Sequence, residues 1–286
     1  VNLRKTLQDV AFYILIVLIA LYLLFPFYWA LITALKPTQE AFNLPTTWFP
    51  KRPTLENFRA IFIDSNLMRS LVSSTIVASS TTLISLLVGS FAAFALGKLR
   101  FRFKRPVLYI VLAMTTFPAV VLLSGLFPLY LAIRRLDEAV AWLEIPAQAI
   151  LVVIYLVFAL PFTIWVLSYF FKGIPDELLQ AARVDGANPL QILWHVLLPL
   201  AVPALVSAGL ITFITAWNEY LFALTITLQQ PGSSTVPVAL TEYYNLGVPI
   251  GQVMSAALIV MLPTVLLVII FQERISAGLT AGAIKG

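Results

Sequence analysis

Glu219 is the one Asp, Glu, Lys or Arg within six long apolar stretches of this sequence. It stands in the tract Trp217-Asn218-Glu219-Tyr220. An ionisable group at such a place is costly and marks function by default. The Asn218 amide and Tyr220 phenol can hydrogen-bond the hydroxyls of a passing solute, and the Trp217 indole can stack on an apolar ring face. The same four side chains also suit an interhelix hydrogen bond and an aromatic at the membrane surface. Both readings are open on sequence alone. The remaining inventory excludes most catalysis. The chain has no cysteine and a single histidine, His195, which removes thiol chemistry, disulfides and zinc sites. His195 sits on an amphipathic loop segment and reads as an interface residue. No aspartate lies in an apolar stretch, and no Gly-x-Ser-Gly accompanies a histidine there, so intramembrane protease sites are missing. The sole Gly-Lys pair, Gly97–Lys98, is followed by Leu99, so no phosphate-binding GxxxxGK[ST] loop exists. No catalytic, metal or cofactor residue is expected. Any energy must come from a partner or an ion gradient.

The elements that hold these residues are membrane helices. Hydrophobic residues make up 60% of the 286 and charged residues 11%, against about 25% charged in soluble domains. The apolar stretches are 10–32, 70–97, 106–132, 146–171, 199–228 and 252–271. Each meets the roughly 20 residues needed to cross a hydrocarbon core of about 30 Å. The first follows Arg4 and Lys5 but is too long for a signal segment, contains Pro26 and lacks a small-residue cleavage site, so it is expected to be retained. Six crossings put both termini on one side. Eleven of the 18 lysines and arginines fall on that side, with Lys98, Arg100, Arg102, Lys104 and Arg105 in one short loop. The positive-inside rule makes it cytoplasmic. Basic residues spaced this way describe topology, not a nucleic-acid surface.

Two patterns within the stretches bear on packing. Pro26, Pro118, Pro128, Pro161, Pro203 and Pro263 are either hinges of a moving pore or ordinary membrane-helix composition. Thr81, Ser85, Gly89, Ala93 and Gly97 recur every four residues, a small-residue stripe that lets two helix backbones approach closely. The partner of that stripe is a helix of this chain or of another subunit.

The loop between the fourth and fifth stretches is the longest on the cytoplasmic side. Pro175 suits a first helical position, with Asp176 and Glu177 in the first turn, where the helix dipole favours acids. Gly186 suits a left-handed stop about ten residues later. Asn188 and Pro189 read as the cap and first position of a second helix. There Leu190, Leu193, Trp194 and Leu197 make an apolar stripe, and Pro199 opens the fifth crossing. Ala181 and Ala182 leave the first helix open to close approach. A helix lying on lipid would carry a Lys/Arg-rich polar face, which is missing. A docking element fits better.

At these residues the chain resembles a known family. Gln180-Ala-Ala-Arg-Val-Asp-Gly-Ala187, followed after eleven residues by Pro199, is similar to the EAA loop of permease subunits in binding-protein-dependent ABC importers. The family's glutamate is Gln180 here, while Ala181, Ala182, Asp185, Gly186 and Ala187 keep the pattern. The tail Gly278-Leu279-Thr280-Ala281-Gly282 looks like that of the smaller maltose- or trehalose-type permease subunit, and the tract 217–220 recurs in sugar permeases.

The resemblance covers nearly the whole chain. It implies an all-α integral membrane protein with the type I ABC importer transmembrane fold: residues 1–66 as a first helix and extracytoplasmic loop, 67–272 as the permease core with its coupling loop at 172–199, and 273–286 as a cytoplasmic tail. It implies a bacterial or archaeal inner membrane, a second homologous permease subunit, two cytoplasmic ATPase subunits holding ATP and magnesium, and an external sugar-binding protein. Asp176, Glu177 and the loop residues would contact the ATPase, as would the tail. The cargo would be a disaccharide or oligosaccharide. The rival readings are an ion-coupled transporter, which normally carries several intramembrane carboxylates, and a membrane-embedded enzyme.

Overall fold

The computed structural model describes residues 3–139, 145–227 and 233–280, and every regular element there is helical. The order is α1 (Leu3–Ala34), α2 (Thr38–Ala41), α3 (Glu56–Ile63), α4 (Ser65–Lys98), α5 (Lys104–Thr115), α6 (Ala119–Ala139), α7 (Ala147–Gly173), α8 (Asp176–Val184), α9 (Pro189–Ile192), a π-turn (Leu193–Leu197), α10 (Leu198–Leu200), α11 (Val202–Trp217), α12 (Leu221–Thr227), α13 (Val236–Asn245) and α14 (Ile250–Thr280). In lipid a backbone amide has no water to bond, so a crossing segment must satisfy itself, and a helix does so. Four helices are long and apolar enough to cross a membrane unbroken: Gln8–Ala34, Asn66–Lys98, Ala147–Gly173 and Ile250–Glu273. Two further apolar helix pairs are bent, each counted as one crossing. Lys104–Thr115 and Val120–Ile133 meet at 100°, and Pro189–Leu200 and Val202–Trp217 meet at 80°.

The bends sort the prolines. Pro26, Pro128, Pro161 and Pro263 lie inside continuous helices. Pro118 stands in the α5–α6 break, and Pro203 opens α11. The fifth stretch, expected as one crossing over 199–228, is therefore divided, with one break at Ala201 and another at residues 218–220. Pro199 and Pro203 explain the first break. Neither can donate to the carbonyl four residues back. The ladder slips to a π-turn just before Pro199, as it does where a helix must absorb a misfit.

Contacts divide the chain into two compact units. The first comprises residues 1–68 and 240–262. Residues 8–27 of α1 expose every side chain. The helix ends before Lys36-Pro37, because a residue preceding proline is pushed out of the helical region. Its last carbonyls do not go unpaired, since the buried Asn57 amide donates to both Ala34 O and Lys36 O at 2.8 Å. Lys36 is itself buried, donates to Thr47 O and lies over the Trp29 ring. Gly251 faces Asn57 so closely that a Cβ there would sit 2.5 Å from the amide nitrogen. The connection between the first two crossings thus carries structure of its own in α2 and α3.

The second unit comprises 69–239 and 263–286. In it the small-residue stripe of α4 finds its partner in α7. Ser85 and Thr163 hydroxyls are 2.7 Å apart. A Cβ on Gly89 would lie 2.7 Å from Thr163 Cγ2, and one on Gly97 would lie 3.1 Å from Phe171 Cβ. The stripe is a packing surface within the chain. The core beneath it joins Ala93, Phe94, Leu167, Phe171 and Ile174 to Leu179 of α8 and to Ile192, Leu193 and Leu197.

Overpacking so close a crossing costs about 1–3 kcal/mol. Gly89→Ala should therefore lower the thermal midpoint of the purified protein by several degrees. Adding Thr163→Ser, which removes the offending methyl, should recover most of the loss. An unchanged midpoint in the single variant would show that the two backbones are further apart than described.

Candidate functional site

The loop between the fourth and fifth stretches folds as a helical hairpin whose turn is fully specified by local chemistry. Pro175 is the residue before α8 (φ −57°, ψ 137°) rather than its first position, so helical geometry begins at Asp176. Asp176 and Glu177 occupy the first turn and Arg183 the last, each matched to the helix dipole. Gly186 has φ +85°, with Gly186 N donating to Arg183 O and Ala187 N to Ala182 O. These two bonds form a Schellman motif, which needs a left-handed residue at its centre. Asn188 and Gln191 then make a reciprocal capping box: Gln191 N donates to Asn188 Oδ1 and Asn188 N to Gln191 Oε1. The hairpin is pinned by the buried side chains of Leu179, Ile192, Leu193 and Leu197.

This seating changes two expectations. Ala182 and Ala187 pack inward against the core, so Ala181 alone of the alanine pair faces out. The apolar stripe of the second helix runs through Ile192, Leu193 and Leu197, while Leu190 and Trp194 stay exposed. The π-turn rotates the register that a regular helix would have given. Trp194 meets Phe91 edge-on at 6.3 Å, and His195 is exposed with its ring facing Gln191 O. The outward face of the hairpin combines Asp176, Glu177, Gln180 and Asp185 with Leu178, Ala181 and Val184, the last 88% exposed. Leu178 and Val184 carry no motif of their own in the sequence. Their spacing from Ala181, three residues each way, was the available signal.

Glu219 occupies the second break of the fifth crossing. α11 runs 16 residues, about 24 Å, and ends at Trp217. Glu219 then accepts from Phe222 N at 3.0 Å through Oε1 and from Ala223 N at 3.1 Å through Oε2, which caps α12. Oε2 also accepts from Tyr155 Oη of α7 at 2.6 Å. The carboxylate thereby satisfies backbone donors that the break would strand in lipid. Trp217 is buried and stacked on Phe213 at 5.6 Å, so its face is already covered. Asn218 is exposed and donates to Ile214 O on its own helix. Tyr220 is half-buried.

Beside this knot lies a cavity of about 330 Å³. Tyr155, Glu219, Thr81, Thr115, Thr212 and Thr215 supply its polar edge, with Phe158 and Phe162 among its apolar walls. The Thr81 hydroxyl is buried there without a partner among the described residues. The charge of Glu219 marks it in the sequence, and nothing there marks Tyr155, which lies 64 residues away. α7 connects the two places. Tyr155 and Gly173 lie on it some 18 residues apart, about 27 Å, and the α8 hairpin follows directly. Gly278, Leu279 and Thr280 close α14, and Ala281 and Gly282 lie outside the described residues. Among the described residues no three His, Cys, Asp or Glu side chains gather to hold a metal ion.

Residues 85–280 match the family model described as the binding-protein-dependent transport system inner membrane component. The sulfoquinovosyl glycerol transport system permease protein of Agrobacterium fabrum is 38% identical over 92% of this chain and 89% of that protein. The trehalose transport system permease protein of Mycobacterium tuberculosis is 37% identical over 93% of each. Among solved structures, a bacterial ABC transporter that imports the acidic polysaccharide alginate superposes with a TM-score of 0.77 at 22% identity, over 95% of this chain and 98% of that one.

The Tyr155–Glu219 bond has a direct test in a double-mutant cycle. Tyr155→Phe and Glu219→Gln should each destabilise the protein by about 1–3 kcal/mol, and the pair should cost clearly less than the sum. Strict additivity in thermal or denaturant unfolding would mean that the two groups do not share a bond.

Proposed function

The chain belongs to the family of binding-protein-dependent transport system inner membrane components, and on that footing we propose that its α8–α9 hairpin is the part that converts ATP hydrolysis elsewhere into movement of the membrane helices. The protein is a permease subunit of a carbohydrate importer, a multi-pass inner-membrane component and not an enzyme. The observation that carries the proposal is the hairpin itself. It is a short helix stopped by a left-handed glycine, capped on both sides of the turn, rooted in the core by Leu179 and presenting an outward face of mixed acids and small apolar groups. A segment so rigidly built and so exposed suits insertion into a cleft on another protein.

In this reading two ATPase subunits bear ATP and magnesium and receive Asp176, Glu177, Gln180, Ala181, Asp185 and Gly186, with Leu178 and Val184 as the apolar contacts. Ala182 and Ala187 support that face from behind. Both termini are cytoplasmic, and the tail from Gly278 to Gly282 makes a second ATPase contact. A homologous permease subunit completes the path, and an extracytoplasmic binding protein delivers the sugar. Residues 67–272 form the permease core, flanked by the first helix with its loop and by the tail. The cavity at Tyr155 and Glu219 is this subunit's share of the path. Its threonines offer hydroxyls and its phenylalanines offer ring faces, as sugars require. Glu219 shapes that wall by capping α12, and Trp217, Asn218 and Tyr220 fix the break around it. Relatives named for trehalose and for sulfoquinovosyl glycerol support a cargo of disaccharide size.

Reconstitution with the two ATPase subunits, the second permease and the binding protein tests the reading. Uptake of sugar into vesicles should require ATP, and this chain alone should hydrolyse none. Hydrolysis by the isolated chain, or ATP-independent uptake by the full assembly, would overturn the proposal.

The turn offers a sharper point. Gly186→Val forces a β-branched residue to a positive φ, at about 1–3 kcal/mol of local strain. That is small beside the burial of six membrane helices but comparable with the coupling between sites in an allosteric machine. The variant should insert normally and lose ATP-driven uptake. Normal uptake with normal ATPase retention would remove the turn from the mechanism.

A further inference from the structure

Lys98 is the last residue of α4, and its side chain is 4% exposed. The ammonium donates to Ile174 O, just past the end of α7, at 2.5 Å, and to Asp176 Oδ1, in the first turn of α8, at 2.6 Å. Asp176 is 66% exposed. Three elements therefore converge on one buried cation whose anionic partner lies on the outward face of the hairpin. Lys104 closes the same corner from the other side, donating to Gly97 O at 3.1 Å and Leu99 O at 3.0 Å. Here the backbones of α4 and α7 approach closely, with a Cβ on Gly97 only 3.3 Å from the backbone Ser168 O. The Lys98 contact, helped by Arg100 and Arg183, holds the Asp176 carboxyl below its usual range, so it stays ionised.

The pair is weak evidence for stability, since Asp176 keeps most of its water and ion pairs with an exposed member contribute little. Nor is it needed to seat α8, because Leu179 already roots that helix in the core. What the pair adds is direction. Leu179 fixes where α8 sits, and Lys98 fixes the azimuth of its first turn against the end of α4. A protein covering α8 would remove water from Asp176 and strengthen the attraction to Lys98.

We infer that Lys98 is a positioning residue for energy coupling: it ties the first turn of α8 to the ends of α4 and α7, so that displacement of the hairpin moves both helices together. The inference rests on the reading of α8 as the coupling helix. Lys98 is too buried to touch an ATPase itself, which separates its role from direct docking.

The test compares wild type, Lys98→Met, Asp176→Ala and the double variant in the reconstituted importer. It measures ATP hydrolysed per sugar imported, the thermal midpoint and the ATPase retained on purification. Lys98→Met should keep its midpoint and its ATPase, yet raise the ATP consumed per sugar about 5-fold or more. The double variant should be no worse than Asp176→Ala alone. A wild-type ratio in Lys98→Met overturns the inference and leaves the transport reading standing. So does a loss of uptake that follows a lowered midpoint or missing ATPase, which marks Lys98 as merely structural. A wild-type assembly without ATP-driven uptake overturns both.

Discussion

Inside an apolar layer a helix can be interrupted only where something other than water meets the freed backbone groups, and in this protein the Glu219 carboxylate meets them. The fifth crossing stops at Trp217 and resumes at Leu221. The stranded amides of Phe222 and Ala223 are taken by one side chain. That side chain is anchored in turn by Tyr155 of a neighbouring crossing. Leaving a buried donor unmatched costs about 1–3 kcal/mol, and more for a charged group. The cavity, the course of α12 and the orientation of α7 at this level all follow from that arrangement. The charge that marks the site in the sequence is thus a structural cap as well as part of a polar wall.

Asn57 repeats the logic in the other compact unit, where its amide closes the end of α1 with two bonds to carbonyls. In both places a polar side chain at a helix end replaces the water that a soluble protein would use. The α8–α9 hairpin takes a different approach. At its turn the end of α8 and the start of α9 are closed by local means, a Schellman motif and a capping box. The conformation of the turn is set within residues 182–191, while Leu179 and Lys98 tie the hairpin to its neighbours.

What could be read from the sequence follows the same division. Crossings are legible because lipid demands about 20 apolar residues in a row. The hairpin turn is legible because only a few residue types occupy a left-handed position or open a helix. Breaks compensated from a distance are not. Nothing beside Glu219 in the sequence points to Tyr155, and Pro199 and Pro203 mark a weak place in 199–228 without showing that the chain turns there by 80°. The small-residue stripe of α4 announced a close approach without naming its partner, because small residues define the gap and not what fills it. The stripe through Leu190 and Trp194 failed for a narrower reason. It assumed 3.6 residues per turn across a segment that Pro199 forces into a π-turn. Trp217 looked like a ring free to stack, and Phe213, one turn earlier, already covers it.

The stripe has a consequence for the kind of motion the helices permit. Gly89 and Gly97 are notches eight residues apart, about 12 Å along the axis, each filled by a side chain of α7. Two rods engaged at two such notches behave as a keyed shaft. Neither can spin about its own axis without driving a Cβ into a neighbour, and neither can slide without lifting out of both notches at once. The freedoms that survive are those of the pair as a single body, tilting or swinging about a pivot outside it. Gates that open by rotating one helix in place are therefore closed to this corner of the protein, and whatever alternates here does so as a lever.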